Sequence, residues 1–451
     1  MEHSVTLMEM LNAREARVVR QQQLLEQYQL PVISFCLNIA GPVKNSPVLR
    51  RAFREGLERL VCALLAARLD VAAREEVDEP TGCEALWVVK GDGRAVKELC
   101  VELEDRDALG RLFDLDVLDP NTGKWDRVQL GQPPRRCLVC GKEGKGCASR
   151  RLHTVEELQS ATQAILEDYF GKKDQQTLGT LAAKALLYEV CTTPKPGLVD
   201  RRNNGSHRDM DLFTFLDSTA ALLPYFETAV ALGRETRTLP PQETFRRLRR
   251  AGAAAERAMF RSTGGVNTHK GAVFTLGTVC AAAGRLWRAE GFSKDLDATL
   301  ILCGEMSRQE VRADFEAIRR DGARTAGQRL YLEQGLEGIR GELARGLPAV
   351  SQIGLPTLRK RLNAGDSLEE AGRQVLLALM ARVVDTNLIA RGGLEGQRWA
   401  MEQAKTLTEG RTASREETEE LDRAFIERNL SPGGCADLLA ITYFLEFLGC
   451  M

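Results

Sequence analysis

The 451-residue chain balances 62 Lys and Arg against 63 Asp and Glu, a formal net charge of -1, with 43% hydrophobic and 28% charged residues. That balance supplies no global attraction to nucleic acid or an anionic membrane, and the length exceeds one typical domain, so two or three are expected. No run approaches the roughly 18 consecutive apolar residues of a membrane span, and the opening MEHSVTLMEM lacks a secretory signal's apolar region and small-residue cleavage site. The 12 cysteines are scattered, several of them (Cys62, Cys280, Cys303) in helix-like apolar surroundings where reduced cysteine packs as a small hydrophobe. A cytoplasmic protein is expected.

Residues 1–170 read as a mixed α+β domain. Leu57, Leu60, Val61, Leu64 and Leu65 recur at helical spacing over about 50–70. EALWVVKG (84–91) and RLFDLDVLD (111–119) read as strands, with RAVKELCVELEDRDALG between them reading as a helix that ends near Gly110. The second strand alternates with period two, which puts Phe113, Leu115 and Val117 in the core and Asp114 and Asp116 together on the other face. Two adjacent carboxylates repel and are commonly neutralised by a hard cation such as Mg2+ shared with substrate phosphates. An edge strand with an acidic solvent face is the plainer alternative. Next, Cys137-x2-Cys140-x6-Cys147-x5-His153 offers four ligands at spacings compatible with tetrahedral Zn2+, or a basic loop with incidental cysteines. Arg135, Arg136, Arg150 and Arg151 flank it.

The polar stretch GKKDQQTLG (171–179) has the composition of a linker. Residues 180–451 then read as an all-α domain of alanine- and leucine-rich segments, among them 181–190, 244–260, a glycine-interrupted helix over 370–390 and 435–448. Leu376, Leu379, Met380 and Val383 form a core stripe in the third. The arginines of 246–250 read as a solvated helix face.

Four glycine-bearing interruptions stand out in this half. CTTPKPGLVDRRNNGSHRDMD (191–211) has Pro194, Pro196 and Gly197 to shape it, followed by Lys195, Asp200, His207, Asp209 and Asp211 as charged or titratable candidates. RSTGGVNTHKG (261–271) carries Gly264, Gly265, Asn267, His269 and Lys270. ARGG (390–393) carries Arg391, Gly392 and Gly393 and follows a helix bearing Asp385, Thr386 and Asn387. SPGG (431–434) brings Gly433 and Gly434 to the start of the last helix, with Asp437 in its first turn. Glycines at helix N-termini let backbone N–H groups approach an anion that the dipole already favours, so these turns form a candidate triphosphate cradle. The order is not that of a Walker A motif, and any one of these turns alone is more often a plain helix cap; it is four together, each with a carboxylate, Asn, His or Lys, that point to a site.

Two resemblances sharpen this. A glycine shortly before D-x-D, here Gly110, resembles the nucleotidyltransferase superfamily signature. LNIAGPVKNSP near position 38, ELEDRDALGRLFDLDVL and RCLVC…C…RRLH together resemble apo-citrate lyase phosphoribosyl-dephospho-CoA transferase. The resemblance implies a nucleotidyltransferase-like fold and transfer of a phosphoribosyl-dephospho-CoA group to a serine of the citrate lyase acyl carrier protein, with pyrophosphate leaving. Asp114 and Asp116 would hold the metal, and Lys44 and Arg111 would meet phosphate. TPKPGLVDRRNNGSHRDMD, TGGVNTHKGAVFTLG, DTNLIARGG and SPGGCADLLA, in that order, resemble the triphosphoribosyl-dephospho-CoA synthase family. Membership implies that ATP and 3′-dephospho-CoA react with release of adenine, through an oxocarbenium-like state stabilised by carboxylates, with Mg2+ on the triphosphate. The expected whole is a bifunctional, cytoplasmic transferase that makes and attaches the citrate lyase prosthetic group. The alternatives are the equivalent pathway of malonate decarboxylase, a zinc-containing nucleic-acid binder, and a helical scaffold whose glycine turns are mere caps.

Overall fold

The computed structural model describes residues 3–451, which divide into two compact units at Lys172/Lys173. The first begins with α1 (Leu7–Tyr28), started by a Thr6–Glu9 capping box, and continues through β1 (Val32–Leu37), α2 (Pro47–Ala66), β2 (Asp70–Glu79), β3 (Gly82–Lys90), α3 (Gly93–Asp105), β4 (Phe113–Asp119), β5 (Gly123–Trp125) and α4 (Gly144–Ser149). The strands form one antiparallel sheet in the order β2-β3-β1-β4-β5. Central β1 pairs Ser34 with Asp116 and Cys36 with Asp114, and partners in an antiparallel register share a face. On that face α1 donates from Gln21 to Ser34 (2.8 Å) and from Arg17 and Arg20 to Glu84 (2.5 and 2.6 Å). On the other face Phe35 stacks on Phe53 of α2, ring centroids 4.8 Å apart, and meets Phe113 edge-on. Phe113, Leu115 and Val117 are buried and Asp114 and Asp116 partly exposed, the alternation expected of β4.

The segment expected as a linker, 171–179, is helical. It lies inside α5 (Val155–Cys191), because Lys172, Lys173 and Gln176 take exposed positions while Phe170 and Leu178 are buried and buried Asp174 accepts from the Trp287 indole N–H (2.7 Å). The second unit is built from α6 (Leu212–Glu235), α7 (Pro241–Ser262), α8 (Lys270–Leu286), α9 (Leu296–Asp321), α10 (Ala326–Gln334), α11 (Gly338–Ala344), α12 (Leu355–Asn363), α13 (Leu368–Met380), α14 (Thr386–Thr408), α15 (Arg415–Glu427) and α16 (Gly433–Gly449). No strand occurs in it, and among the described residues no helix is long and apolar enough to cross a membrane.

The helix expected over 370–390 is two. α13 stops at Met380, and Asp385 caps α14 by accepting from the Asn387 N–H (2.8 Å). A capping aspartate outweighs continuing apolar periodicity because it satisfies an N–H that a helix start otherwise leaves orphaned. Val383, past the end of α13, packs partly buried against the core in which Leu376, Leu379 and Met380 are fully buried.

α8 and α16 are apolar nearly all round and buried accordingly. α6 crosses α8 through two glycines. A Cβ on Gly233 would lie 2.0 Å from the Ala281 carbonyl oxygen, and one on Gly284 would lie 2.2 Å from that of Val230. Both obstacles are backbone, so neither can swing aside. Gly284→Ala is therefore expected to lower the unfolding free energy by about 1–3 kcal/mol, the usual overpacking cost, as read from urea denaturation of the full chain. A loss under about 0.5 kcal/mol, the range of a neutral surface change, would contradict the close crossing.

Candidate active site

α5 ends beside the loop 192–211, and the loop's charges divide into those that brace it and those that face a cavity. The Asp200 carboxylate is buried and accepts the backbone N–H groups of Lys195 (3.0 Å), Arg202 (2.7 Å) and Asn203 (3.2 Å). Asp422 of α15 takes the Gly197 N–H and the Asn203 amide, each at 2.9 Å. Gly197 sits at φ +69° with the Leu430 carbonyl where a Cβ would project, so only glycine fits there. Thus braced, the loop aims Lys195 inward. Its side chain is buried and its ammonium pairs with Glu189 on the last turn of α5. Burial raises the Glu189 carboxyl above its ordinary range, and Lys195 counters the rise.

His207 lies farther along the loop, with Nε2 2.9 Å from the Ser431 hydroxyl and Nδ1 3.2 Å from an Arg391 guanidinium nitrogen. A guanidinium only donates, so Nδ1 accepts and Nε2 carries the proton. Burial and then Arg391 push the imidazole down to about 4, which keeps it neutral at physiological pH. Asp211 accepts from the Thr214 N–H (2.9 Å) and hydroxyl (2.7 Å) as the N-cap of α6.

At the start of α8, Asn267 accepts from the Lys270 N–H (3.3 Å), and Lys270 Nζ pairs with Glu256 of α7 (3.1 Å). His269 is buried. The Thr268 hydroxyl donates to Ser218 Oγ (2.7 Å), whose own hydrogen is then available to His269 Nδ1 (2.8 Å). This relay leaves the proton on Nε2, which is buried without a hydrogen-bond partner. Burial, then Lys195, pushes this histidine down to about 3.

The starts of α14 and α16 complete the site. Asp385 accepts from the N–H groups of Asn387 (2.8 Å) and, across the helices, Cys435 (2.9 Å). A Cβ on Gly434 would come within 3.0 Å of Asp385, and one on Gly271 within 1.8 Å of Asp437. Small residues thus let both carboxylates sit against helix N-termini, where N–H groups and the dipole favour them. Burial nonetheless raises both carboxyls, Asp437 well above the usual range, with Glu189 and Asp385 adding to the rise.

These elements enclose a cavity of about 850 Å³. Glu189, Asp385 and Asp437 line it together with Lys195, and Arg340, Arg345, Arg382, Arg391 and Lys270 contribute cationic side chains to its walls. Glu256, Glu337 and Glu342 line it too, and Lys270 pairs with Glu256, Arg345 with Glu337 and Arg340 with Asp314. A lining of both signs suits a polyphosphate carrying a metal ion and sugar, with cations for phosphate oxygens and carboxylates for hard cations or a developing positive charge.

Of the residues singled out from the sequence, the cavity gathers Lys195, His207, Asp209, Asn267, His269, Lys270, Asp385, Asn387, Arg391, Gly433, Gly434 and Asp437. It does not gather six others. Asp200 is occupied in bracing the loop and Asp211 in capping α6. Gly264 and Gly265 terminate α7 at positive φ, Gly392 packs on Leu430, and Gly393 makes a kink inside α14; ARGG is therefore not a turn after a helix. Sequence reasoning missed Glu189, Glu256, Arg340, Arg345 and Arg382. Glu189 had a signal, as a lone acid in the otherwise apolar helix end LLYEV. The arginines had none, since they lie on ordinary-looking helical segments.

In the first unit Asp114 and Asp116 share their face of β4, and each has a cation beside it. Asp116 pairs with Lys124 (2.5 Å), and Asp114 lies 3.7 Å from Arg135. Lys44 turns its ammonium to the Ile39 carbonyl (2.5 Å), and Arg111 donates to the Arg136 carbonyl. As they stand, both of these candidate phosphate ligands are engaged with backbone.

His269 yields a pH prediction. The folded chain keeps it neutral down to about pH 3, whereas the unfolded chain protonates it near 6.5, so its contribution to stability is lost as pH falls through that window. The difference in unfolding free energy between wild type and His269→Gln should shift against the wild type by about 1.4 kcal/mol per pH unit below 6.5, as followed by urea denaturation between pH 7 and pH 5. A pH-independent difference would contradict a buried, neutral His269.

Comparison with known proteins agrees with the division of the chain. Residues 175–450 match the family model of ATP:dephospho-CoA triphosphoribosyl transferase, and residues 5–169 match that of apo-citrate lyase phosphoribosyl-dephospho-CoA transferase. Protein CitXG of Haemophilus influenzae is 38% identical over 99% of this chain and 97% of its own, and Protein CitXG of Leuconostoc mesenteroides subsp. cremoris is 34% identical over 98% and 97%. A 2-(5′′-triphosphoribosyl)-3′-dephosphocoenzyme-A synthase from Pectobacterium atrosepticum is 40% identical over 63% of this chain and 94% of its own. A cavity with acidic and basic walls in a helical unit, a carboxylate pair on a sheet in the unit before it, and full-length likeness to two such fusions lead to one conclusion: the chain belongs to the CitXG family and is a transferase of citrate lyase prosthetic-group assembly.

Proposed function

We propose that the chain catalyses two consecutive transfers. In the second unit, ATP and 3′-dephospho-CoA give 2′-(5′′-triphosphoribosyl)-3′-dephospho-CoA and adenine. In the first, the phosphoribosyl-dephospho-CoA group passes to a serine of the apo-citrate lyase acyl carrier protein, and pyrophosphate leaves. The observation that carries the first reaction is the gathering of Glu189, Asp385 and Asp437 with buried Lys195 in one cavity that Lys270, Arg340 and Arg345 also line. The bond from the ATP ribose to adenine breaks, the 2′-hydroxyl oxygen of dephospho-CoA bonds to the ribose carbon in adenine's place, and the hydroxyl's proton ends on the departing adenine. The ribose passes through a cationic, oxocarbenium-like state that nearby carboxylates stabilise.

Carboxylate oxygens suit Mg2+; Asp437 and Glu189 would hold such an ion on the triphosphate, whose charge it would neutralise, while Asp385 is held by the Asn387 and Cys435 N–H groups. The chain's own residues do the rest. Arg340, Arg345 and Lys270 meet phosphate oxygens, and Lys195 holds Glu189 in place. Neutral His269 offers an unpartnered Nε2–H without adding positive charge, while His207 is held between Ser431 and Arg391.

The carrier-modifying step is assigned to Asp114 and Asp116 as nucleotidyltransferase-type carboxylates. Their side chains remain 46% and 32% exposed, so a nucleotide phosphate and a metal ion have access to them. Lys124 and Arg135 neutralise the pair until then, and would meet the departing pyrophosphate.

The test follows adenine release and the carrier's mass separately. Asp437→Asn should reduce adenine release from ATP, dephospho-CoA and Mg2+ by about 100-fold or more, the scale of removing one pre-organised electrostatic group. Carrier modification from supplied triphosphoribosyl-dephospho-CoA should persist. Asp114→Asn should do the reverse. Loss of both activities in either folded variant would overturn the division of labour, and absence of adenine release in the wild type would overturn the first reaction.

A further inference from the structure

Between β5 and α5 the chain runs through 126–153, tied to the sheet unit by Arg127 and Arg135 but burying few side chains. Among the described residues of that stretch only Cys137 and Cys147 are buried. A segment of this length without an apolar core needs another source of order. The sulfurs of Cys137, Cys140 and Cys147 and a ring nitrogen of His153 lie within 4.8 Å of one another, with the Cys140 and Cys147 sulfurs 3.4 Å apart. Tetrahedral Zn2+ with Zn–S of about 2.3 Å sets its sulfurs roughly 3.7 Å apart, so little adjustment separates this cluster from a coordination shell.

Two further observations point to a ligand. His153 Nε2 is buried with no hydrogen-bond partner, while Nδ1 faces Glu157 Oε2 at 3.7 Å. The same Glu157 oxygen accepts the Thr154 N–H (2.9 Å), so the carboxylate lies on the Nδ1 side of the ring and leaves Nε2 free to face a metal ion. The backbone also forms the tight turn that a C-x2-C pair requires. The Cys137 N–H donates to the Lys142 carbonyl (2.6 Å), the Gly141 N–H returns to the Cys137 carbonyl (3.1 Å), and Gly141 takes φ +71°.

We propose that Cys137, Cys140, Cys147 and His153 bind one structural Zn2+ ion that orders 126–153 and thereby holds Arg135 against the strand bearing Asp114 and Asp116. Four protein ligands close the shell and leave no position for substrate, so the ion is structural. Its effect reaches the carboxylates through Arg135, two residues before Cys137. The Arg135 guanidinium donates to the carbonyls of Arg111 (2.9 Å) and Phe113 (2.7 Å) and sits 3.7 Å from Asp114.

The test uses the full chain purified under reducing conditions from zinc-supplemented cells. Elemental analysis should find about one zinc per chain, and Cys140→Ser and His153→Ala should each lose most of it while circular dichroism shows the helical unit still folded. Stripping the metal with a chelator should open 126–153 to limited proteolysis, and zinc should restore protection. Replacement by Co2+ should give the absorption of a tetrahedral thiolate site. A zinc content that the two substitutions leave unchanged would overturn the proposal. So would iron in place of zinc, a Cys140–Cys147 disulfide in the reduced preparation, or a metal-free protein that takes up none and keeps 126–153 protected.

Discussion

Keeping three carboxylates close together with one lysine is the constraint around which the helical unit is arranged. Glu189, Asp385 and Asp437 come from three different helices or helix starts, and each is raised by burial. Water would disperse such charges, and a protein keeps them together only by supplying compensating groups. Here those groups are the Lys195 ammonium and the N-terminal N–H groups of α14 and α16. The close approaches follow from the same need. Gly271 and Gly434 are glycine because a Cβ at either would press on a carboxylate, and the break between α13 and α14 exists where Asp385 becomes a cap.

The loop before α6 shows how rigidity and chemistry are separated. Asp200 and Asp422 spend their oxygens on the loop's own backbone and Asn203, which fixes the direction of Lys195. His207 is clamped between Ser431 and Arg391. Asp209 is the loop's aspartate that lines the cavity. A loop tied down at so many points gives up little conformational entropy when a ligand arrives, which favours tight and oriented binding.

Much of this was legible in the sequence, and the failures have physical causes. Period-two alternation identified β4 and the shared face of Asp114 and Asp116, since one-sided burial leaves that imprint directly. β1 and β2 left weaker signals: β1 is short and sits beneath α1, and β2 alternates little because it lies at the sheet's edge. GKKDQQTLG reads as a linker by composition, yet a helix with few buried positions per turn accommodates the same polar residues. Aspartate was the hardest residue to interpret. Asp200, Asp211, Asp385 and Asp437 all stand near glycine-bearing turns, and a carboxylate that caps a helix or braces a loop looks identical in sequence to one that meets a ligand. The arginines at 340, 345 and 382 carry no local pattern at all, because only the tertiary fold brings them to the cavity wall.

The two units also meet charge differently. In the sheet unit the carboxylate pair is partly exposed and already matched by Lys124 and Arg135, whereas in the helical unit the carboxylates exceed the lysine buried with them. A divalent cation should therefore matter to nucleotide binding in the helical unit. Calorimetric titration of ATP into the full chain, with Mg2+ and with chelator, tests this directly when repeated on Asp437→Asn. The account predicts that Mg2+ strongly tightens ATP binding to the wild type and that the substitution removes most of that dependence. Equal ATP affinity with and without Mg2+, or a dependence that survives loss of the Asp437 carboxylate, would contradict it.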